Sequence, residues 1–206
     1  MPREPRDTRD KIIAAAQRLM SRRGYTAVGI NEVLADAHVP KGSFYYYFTS
    51  KDTFGEAVMD TYFDRYVADM NEMFSHSEQS AAVRLMNYWQ YWYDIEAGTA
   101  DTPKCLAVKL GAEVADLSEP MRHSLHQGTA AIIDNIASMI REGVTDGSID
   151  APFAPTLTAQ FLYDLWLGAS VRAKIEQETA ALDSALARTR ELLQIADGPA
   201  VPTAAC

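Results

Sequence analysis

Apolar side chains recur every three to four positions along most of the chain, the spacing that gathers them on one face of a helix. Ile12, Ile13, Ala16, Leu19 and Met20 form the first such stripe, with Asp7 or Thr8 as its N-cap and Gly24 as its stop. Ile30, Val33, Leu34 and Ala37 form a second over 30–37, for which Gly29 is the expected N-cap. A third short helix is expected to start with Pro40 at its first position, where the missing N–H costs nothing. Three short helices with a tight turn between the second and third predict a helix-turn-helix unit.

The stripes then lengthen. Phe54, Val58, Tyr62, Tyr66, Met70 and Met73 predict a helix over 51–74 capped by Ser50. Val83, Met86, Tyr88, Trp89, Trp92 and Tyr93 predict another over 81–97. Helices over 105–115, from Ser118-Glu119-Pro120 to about 144, over 156–177 and over 182–195 follow, and the tail 198–206 reads as disordered. No stretch alternates polar and apolar residues as a half-buried strand does. The expected fold is all-α with about nine helices: a head of residues 1–50, a body of 51–197 and the short tail.

Composition makes a large core possible, since 48% of the 206 residues are apolar. No run approaches the ~18 apolar residues of a membrane span, and Met1 to Arg9 lacks the apolar segment of a signal peptide, so a soluble cytoplasmic protein with no membrane partner is expected. Two cysteines, Cys105 and Cys206, make no disulfide framework. The net charge of −9 argues against nucleic acid until it is divided along the chain. Residues 1–51 carry nine Lys and Arg against five Asp and Glu, a balance of +4; the rest carry ten against twenty-three, a balance of −13. A basic head on an acidic body attracts DNA at one end and repels it elsewhere.

The segment Val39-Pro40-Lys41-Gly42-Ser43-Phe44-Tyr45-Tyr46-Tyr47-Phe48-Thr49-Ser50-Lys51 narrows this reading. Phe44 and Phe48, one turn apart, can anchor one face, while Lys41, Ser43 and the three tyrosines offer hydrogen-bond donors elsewhere. Glycine at 42, and at 29, lets a phosphate backbone come close. The mixture suits a short helix pressed against DNA, where most contacts position and few specify. Tyr47, and less readily Tyr46, would also serve at an interface between head and body.

With Gly24-Tyr25, Ile30-Asn31-Glu32-Val33, the segment from Val39 to Phe48 and Ser50-Lys51 in view, the first 55 positions resemble the TetR family of transcriptional regulators. Two residues depart from the family pattern: His38 stands where glycine is usual, at a place where His is among the residues that tolerate positive φ, and Pro40 replaces a serine. Cys105-Leu106-Ala107-Val108-Lys109-Leu110-Gly111-Ala112-Glu113-Val114, Asp116-Leu117-Ser118-Glu119, Leu162-Tyr163, Leu165-Trp166-Leu167-Gly168-Ala169 and Ala173-Lys174-Ile175 are similar to the NemR-type branch, repressors that respond to reactive electrophiles. The resemblance spans most of the chain. It implies DNA contact by Lys41, Gly42, Ser43, Tyr45, Tyr46, Tyr47 and Lys51, a homodimer on a palindromic operator joined through the last two helices, and no enzymatic activity.

The same resemblance makes Cys105 the sensing thiol. By residue type alone, Cys105 reads equally as a small buried hydrophobe. Its place at a helix start, beside Lys104 and about one turn from Lys109, favours a thiolate. Lys174 is a candidate partner, able to lower the thiol pKa or to condense with the modified sulfur, or else a solvated lysine near a helix end. Trp89, Trp92, Lys109, Tyr163 and Trp166 are candidate walls of a flat pocket, although aromatics at helical spacing also make plain core. Ala115 stands where a relative can have a further cysteine, so no disulfide partner is expected there. No cofactor or metal is expected. Two rival functions stay open: a repressor holding a small aromatic effector reversibly with Cys105 a bystander, and a cysteine enzyme with His123 or His126 as base.

Overall fold

The structure, a computed structural model, describes residues 5–99 and 105–195. It is all-helical as expected, with nine helices and no strand among the described residues: α1 (Pro5–Arg23), α2 (Ile30–Asp36), α3 (Lys41–Tyr47), α4 (Lys51–Phe74), α5 (Ala81–Ala97), α6 (Leu106–Ala115), α7 (Glu119–Asp146), α8 (Pro155–Glu176) and α9 (Ala180–Leu192). The tail 198–206, with Cys206, lies outside the described residues, as do Pro103 and Lys104 before Cys105.

Helix boundaries follow local capping chemistry. Ser50 opens α4 with a reciprocal pair: its hydroxyl accepts from the Thr53 N–H at 3.1 Å, and the Thr53 hydroxyl accepts from the Ser50 N–H at 3.1 Å. Ser80 opens α5, and Gly98, in the left-handed region at φ 77°, closes it. Two expected starts move. α1 begins at Pro5, whose fixed φ suits a first turn, so Asp7 and Thr8 lie inside the helix and do not cap it. Pro40 is the N-cap of α3 and not its first residue, because its ψ of 145° is extended. His38 takes φ 54°, the left-handed conformation anticipated there.

α7 is the spine against which α4, α5, α6 and α8 pack. Gly128 of α7 sits under the Phe63 ring of α4, and Gly143 under Ile149, so that any Cβ at either position would collide. Trp89 and Trp166 stack with centroids 5.0 Å apart and planes at 13°, closing α5 on α8. The Trp92 ring N–H donates to Ser170 Oγ at 3.0 Å and that of Trp166 to Thr189 Oγ1 at 3.0 Å, whereas the Trp89 ring N–H and the Tyr163 hydroxyl are buried without a hydrogen-bond partner among the described residues. Each such large, fully buried side chain contributes roughly 1.5–3 kcal/mol.

The last two helices, expected to join two protomers, divide their apolar residues between core and surface. Leu182, Ala185 and Leu193 of the α9 region are buried within the protomer, under α5 and α8. The exposed apolar row runs along α8 instead, through Leu157, Phe161, Val171 and Ile175.

Candidate nucleic-acid interface and thiol cavity

α3 is oriented by an aromatic knot. Phe44 and Phe48 are buried and pack on Phe54 of α4 with centroids 5.2 and 4.9 Å away. With these two faces pinned, the remaining side chains of α3 turn outward: Tyr45 and Tyr46 are 63% and 76% exposed, and Lys41 and Gly42 are exposed beside them. Ser43 and Tyr47 are half-buried, and Tyr47 packs edge-on to Tyr46. No atom would obstruct a Cβ at Gly29 or Gly42, so nothing within the protomer demands glycine at either exposed position. Arg23 forks onto Glu32 at 2.7 and 2.6 Å, and Arg18 meets Asp36 at 2.6 Å, bracing α1 against α2. Two of the head's cations are thereby committed internally, while Lys41 and Lys51 flank α3. Lys51 places its ammonium 4.6 Å from the centre of the Tyr25 ring.

The second feature lies where α1 meets the body. A cavity of about 270 Å³ is walled by Ala14, Gln17, Arg18 and Ser21 of α1, by Tyr62, Arg65, Tyr66 and Asp69 of α4, by Tyr91, Trp92, Ile95 and Glu96 of α5, and by Cys105 and Leu106. Cys105 is the N-cap of α6. The Tyr62 hydroxyl donates to Cys105 Sγ at 3.3 Å and accepts from the Leu106 N–H at 3.3 Å, so a single phenol holds the sulfur and the first turn of α6. Glu96 accepts from the Cys105 N–H at 3.3 Å. The Tyr66 and Tyr88 hydroxyls bond to each other at 3.0 Å on the same side.

The electrostatics of Cys105 run opposite to the expectation from its place in the chain. Burial pushes the thiol up; the Tyr62 hydroxyl and the Val108 and Ala107 N–H groups favour the thiolate, and the Glu96 carboxylate disfavours it. The helix-start donors anticipated from the sequence are present, but they do not outweigh burial. The resting group is a protonated thiol.

Of the other pocket candidates, Trp92 lines the cavity, whereas Trp89, Tyr163 and Trp166 do not. Trp89 and Trp166 are consumed by stacking on each other, and Tyr163 is buried edge-on behind Trp92. Lys109 does not line the cavity; its charge acts on Glu113, whose carboxyl is raised by burial but held below the usual carboxylate range by the Thr26 hydroxyl, the Thr26 and Tyr25 N–H groups and Lys109. Lys174 is exposed and lines a second cavity of about 130 Å³; Glu96 is the residue common to both cavities. His123 and His126 are exposed on α7 and line neither cavity, which removes the base from the enzyme reading. Tyr62, which the sequence did not mark as a partner of the thiol, donates to its sulfur, and Glu96, also unmarked, accepts from the Cys105 N–H. Tyr62 and Tyr66 were visible only as part of an apolar stripe.

Residues 12–58 match the pattern of bacterial regulatory proteins of the tetR family, and residues 81–189 match that of the tetracyclin repressor-like C-terminal domain. The chain is similar to the HTH-type transcriptional repressor NemR of Escherichia coli (strain K12), with 35% identity over 187 residues, 91% of this chain and 94% of that one. It is similar also to the HTH-type transcriptional repressor DhaR of Mycobacterium sp. (strain GP1), with 32% identity over 193 residues and 94% of each chain. The crystal structure of reduced E. coli NemR superimposes with a TM-score of 0.85 at 36% identity, covering 95% of this chain and all of that one.

Proposed function

The chain belongs to the TetR family of bacterial regulatory proteins, and from that premise we propose that it is a dimeric repressor released from a palindromic operator when a small electrophile or oxidant modifies Cys105. The observation that carries this reading is the position of Cys105 Sγ on the wall of a cavity whose other walls include α1 of the head. A group attached to that sulfur presses on the helix that carries the DNA-binding unit. Residues 1–50 act as the head and 51–197 as the regulatory and dimerising body.

In the resting state the neutral thiol is unreactive towards most electrophiles, because the thiolate is the nucleophile. Reaction begins when an occupant of the cavity is held against the sulfur. For a quinone or maleimide, an S–C bond forms at the activated alkene carbon, the C=C π pair moves onto the carbonyl oxygen, and the thiol proton ends on the acceptor. Tyr62 supports this step by donating to the developing thiolate. Tyr66, Tyr91 and Trp92 offer flat faces, and about 270 Å³ suits a single-ring molecule.

At the other end Lys41, Ser43, Tyr45, Tyr46, Tyr47 and Lys51 contact operator DNA, with Gly29 and Gly42 allowing the backbone to approach. One seven-residue helix reads few base pairs, so two heads are needed, spaced about 34–36 Å apart on adjacent major grooves. The exposed row Leu157, Phe161, Val171 and Ile175 on α8, beside α9, supplies the dimer face. A shift of a few ångströms in head spacing then breaks simultaneous engagement.

The raised pKa of Cys105 favours one alternative, a reversibly held aromatic effector with the thiol a bystander. A gel shift on the DNA upstream of the chain's own gene separates the readings. A quinone should abolish the shifted band in the wild type and leave it with Cys105→Ser. Excess dithiothreitol restores the band after sulfur oxidation but not after carbon alkylation. Equal release of both proteins establishes the alternative.

A further inference from the structure

A carboxylate on the far end of α6 holds the head. Glu113 lies eight residues beyond Cys105, roughly 12 Å along the helix at 1.5 Å per residue. Its Oε2 accepts from the Tyr25 N–H at 3.1 Å, and its Oε1 accepts from the Thr26 N–H at 2.7 Å and the Thr26 hydroxyl at 2.5 Å. Three donors from the turn between α1 and α2 thus converge on a single side chain of the body. Gly24, the residue before them, fits this arrangement for two independent reasons. Its φ of 91° disfavours any L side chain, and a Cβ there would stand 2.7 Å from Glu113 Oε2. Backbone and carboxylate are therefore shaped to each other.

The grip continues past the turn. Tyr25, whose N–H is held by Glu113, donates its own hydroxyl to the Lys51 carbonyl at 3.2 Å, at the start of α4 and next to the C-terminal end of α3. A path of direct bonds runs from the Tyr62 phenol that touches Cys105 Sγ, through the first turn of α6, along that helix to Glu113, and on to the turn and the flank of α3. α6 also packs on α1 and α7, so it can shift along the one while resting on the other.

We propose that Glu113 is the positioning residue that couples the state of Cys105 to the DNA-binding head. This rests on the reading of Cys105 as the sensor. An adduct that displaces the first turn of α6 carries Glu113 with it, and the three bonds to Tyr25 and Thr26 convert that movement into a tilt of the head. Without the carboxylate the sulfur still reacts but the head does not follow.

The test compares wild type, Glu113→Ala and Glu113→Gln. N-ethylmaleimide is the probe, peptide mass mapping reports modification at Cys105 separately from Cys206, and fluorescence anisotropy on the upstream DNA reports binding. Wild type is expected to lose operator affinity by about 5–150-fold on complete modification, the usual range of allosteric coupling. Glu113→Ala should reach the same modification yet lose affinity by less than about 3-fold. Glu113→Gln, which keeps one acceptor oxygen, should fall between them, a graded response that a merely structural residue does not give. Thr26→Val should weaken coupling from the head side. If modified Glu113→Ala loses affinity by the wild-type factor, the coupling role is overturned while the thiol reading stands. Wild type that stays bound after complete modification overturns both. Loss of binding by unmodified, folded Glu113→Ala also overturns the proposal, since the carboxylate would then serve the grip itself.

Discussion

Replacing Tyr62 by Phe removes one oxygen atom from the structure, and its effect on Cys105 can be worked out from three contacts. The phenol donates to Sγ at 3.3 Å, accepts from the Leu106 N–H at 3.3 Å, and is the foremost of the groups that favour the thiolate. A hydrogen bond to a charged group contributes about 1.5–3 kcal/mol, which corresponds to roughly a 10- to 100-fold change in an equilibrium. The Cys105 thiol, already raised by burial, should rise further without it. Below the thiol pKa, the thiolate fraction falls about 10- to 100-fold, but a more basic sulfur is intrinsically more nucleophilic, with a Brønsted slope near 0.4–0.5. The two effects combine to slow alkylation by roughly 3- to 10-fold at neutral pH. The assay is the pH dependence of iodoacetamide addition at Cys105, followed by peptide mass mapping that separates it from Cys206, for wild type and Tyr62→Phe. The whole rate profile should move to higher pH in the variant. An unchanged profile, or faster alkylation at neutral pH, refutes the assignment of Tyr62 as the group that stabilises the thiolate.

Other consequences are open to the same kind of measurement. Gly128→Ala places a methyl group on the Phe63 ring, an overpacking that should cost about 1–3 kcal/mol and lower Tm by roughly 2–10 °C in calorimetry; an unaltered Tm contradicts the close approach of α7 and α4. Lys41→Ala and Tyr46→Ala, both exposed on α3, should weaken operator binding with no change in circular dichroism, and Lys41→Ala should reduce the salt slope by about 1 per half-site; full-strength binding by either removes that residue from the interface. Tyr25 is pushed up to about 12, first by burial and then by Asp52. Because its folded pKa exceeds its ordinary value of 10.0, its contribution to stability is complete below that value and is lost as the pH rises towards about 12. Tyr25→Phe should therefore flatten the alkaline limb of a stability profile measured by urea denaturation, and an identical limb argues against a buried Tyr25 phenol.

Much of this architecture could be read along the chain wherever a local signal decides the outcome. α4 begins where Ser50 announces it, because caps act within a few residues. Phe44 and Phe48 were recognisable as the anchored side of α3 because one turn of helix brings them together. Depth was not legible in the same way. Trp89, Trp92 and Trp166 share a periodicity that serves a pocket wall or a core equally, and only packing shows Trp92 at the cavity with the other two stacked behind it. The stripe of Leu182, Ala185 and Leu193 has one apolar face, and its neighbours are α5 and α8 of the same protomer. The shift of the Cys105 thiol had the wrong sign because a helix start and nearby lysines are visible in one dimension, whereas burial is not. The contact of Glu113 with the head gave no signal: its partners Tyr25 and Thr26 stand 88 and 87 positions away.

The sensing role of Cys105 is tested most directly by fluorescence anisotropy of the upstream DNA with wild type and Cys105→Ser, titrated with a quinone. A serine hydroxyl fills nearly the same space as the thiol but lacks its nucleophilicity, so it leaves the cavity and the Tyr62 contact in place while removing the reaction. Wild type is expected to be released stoichiometrically with adduct formation, and Cys105→Ser to stay bound across the whole titration. Release of Cys105→Ser at the wild-type dose contradicts the sensing role.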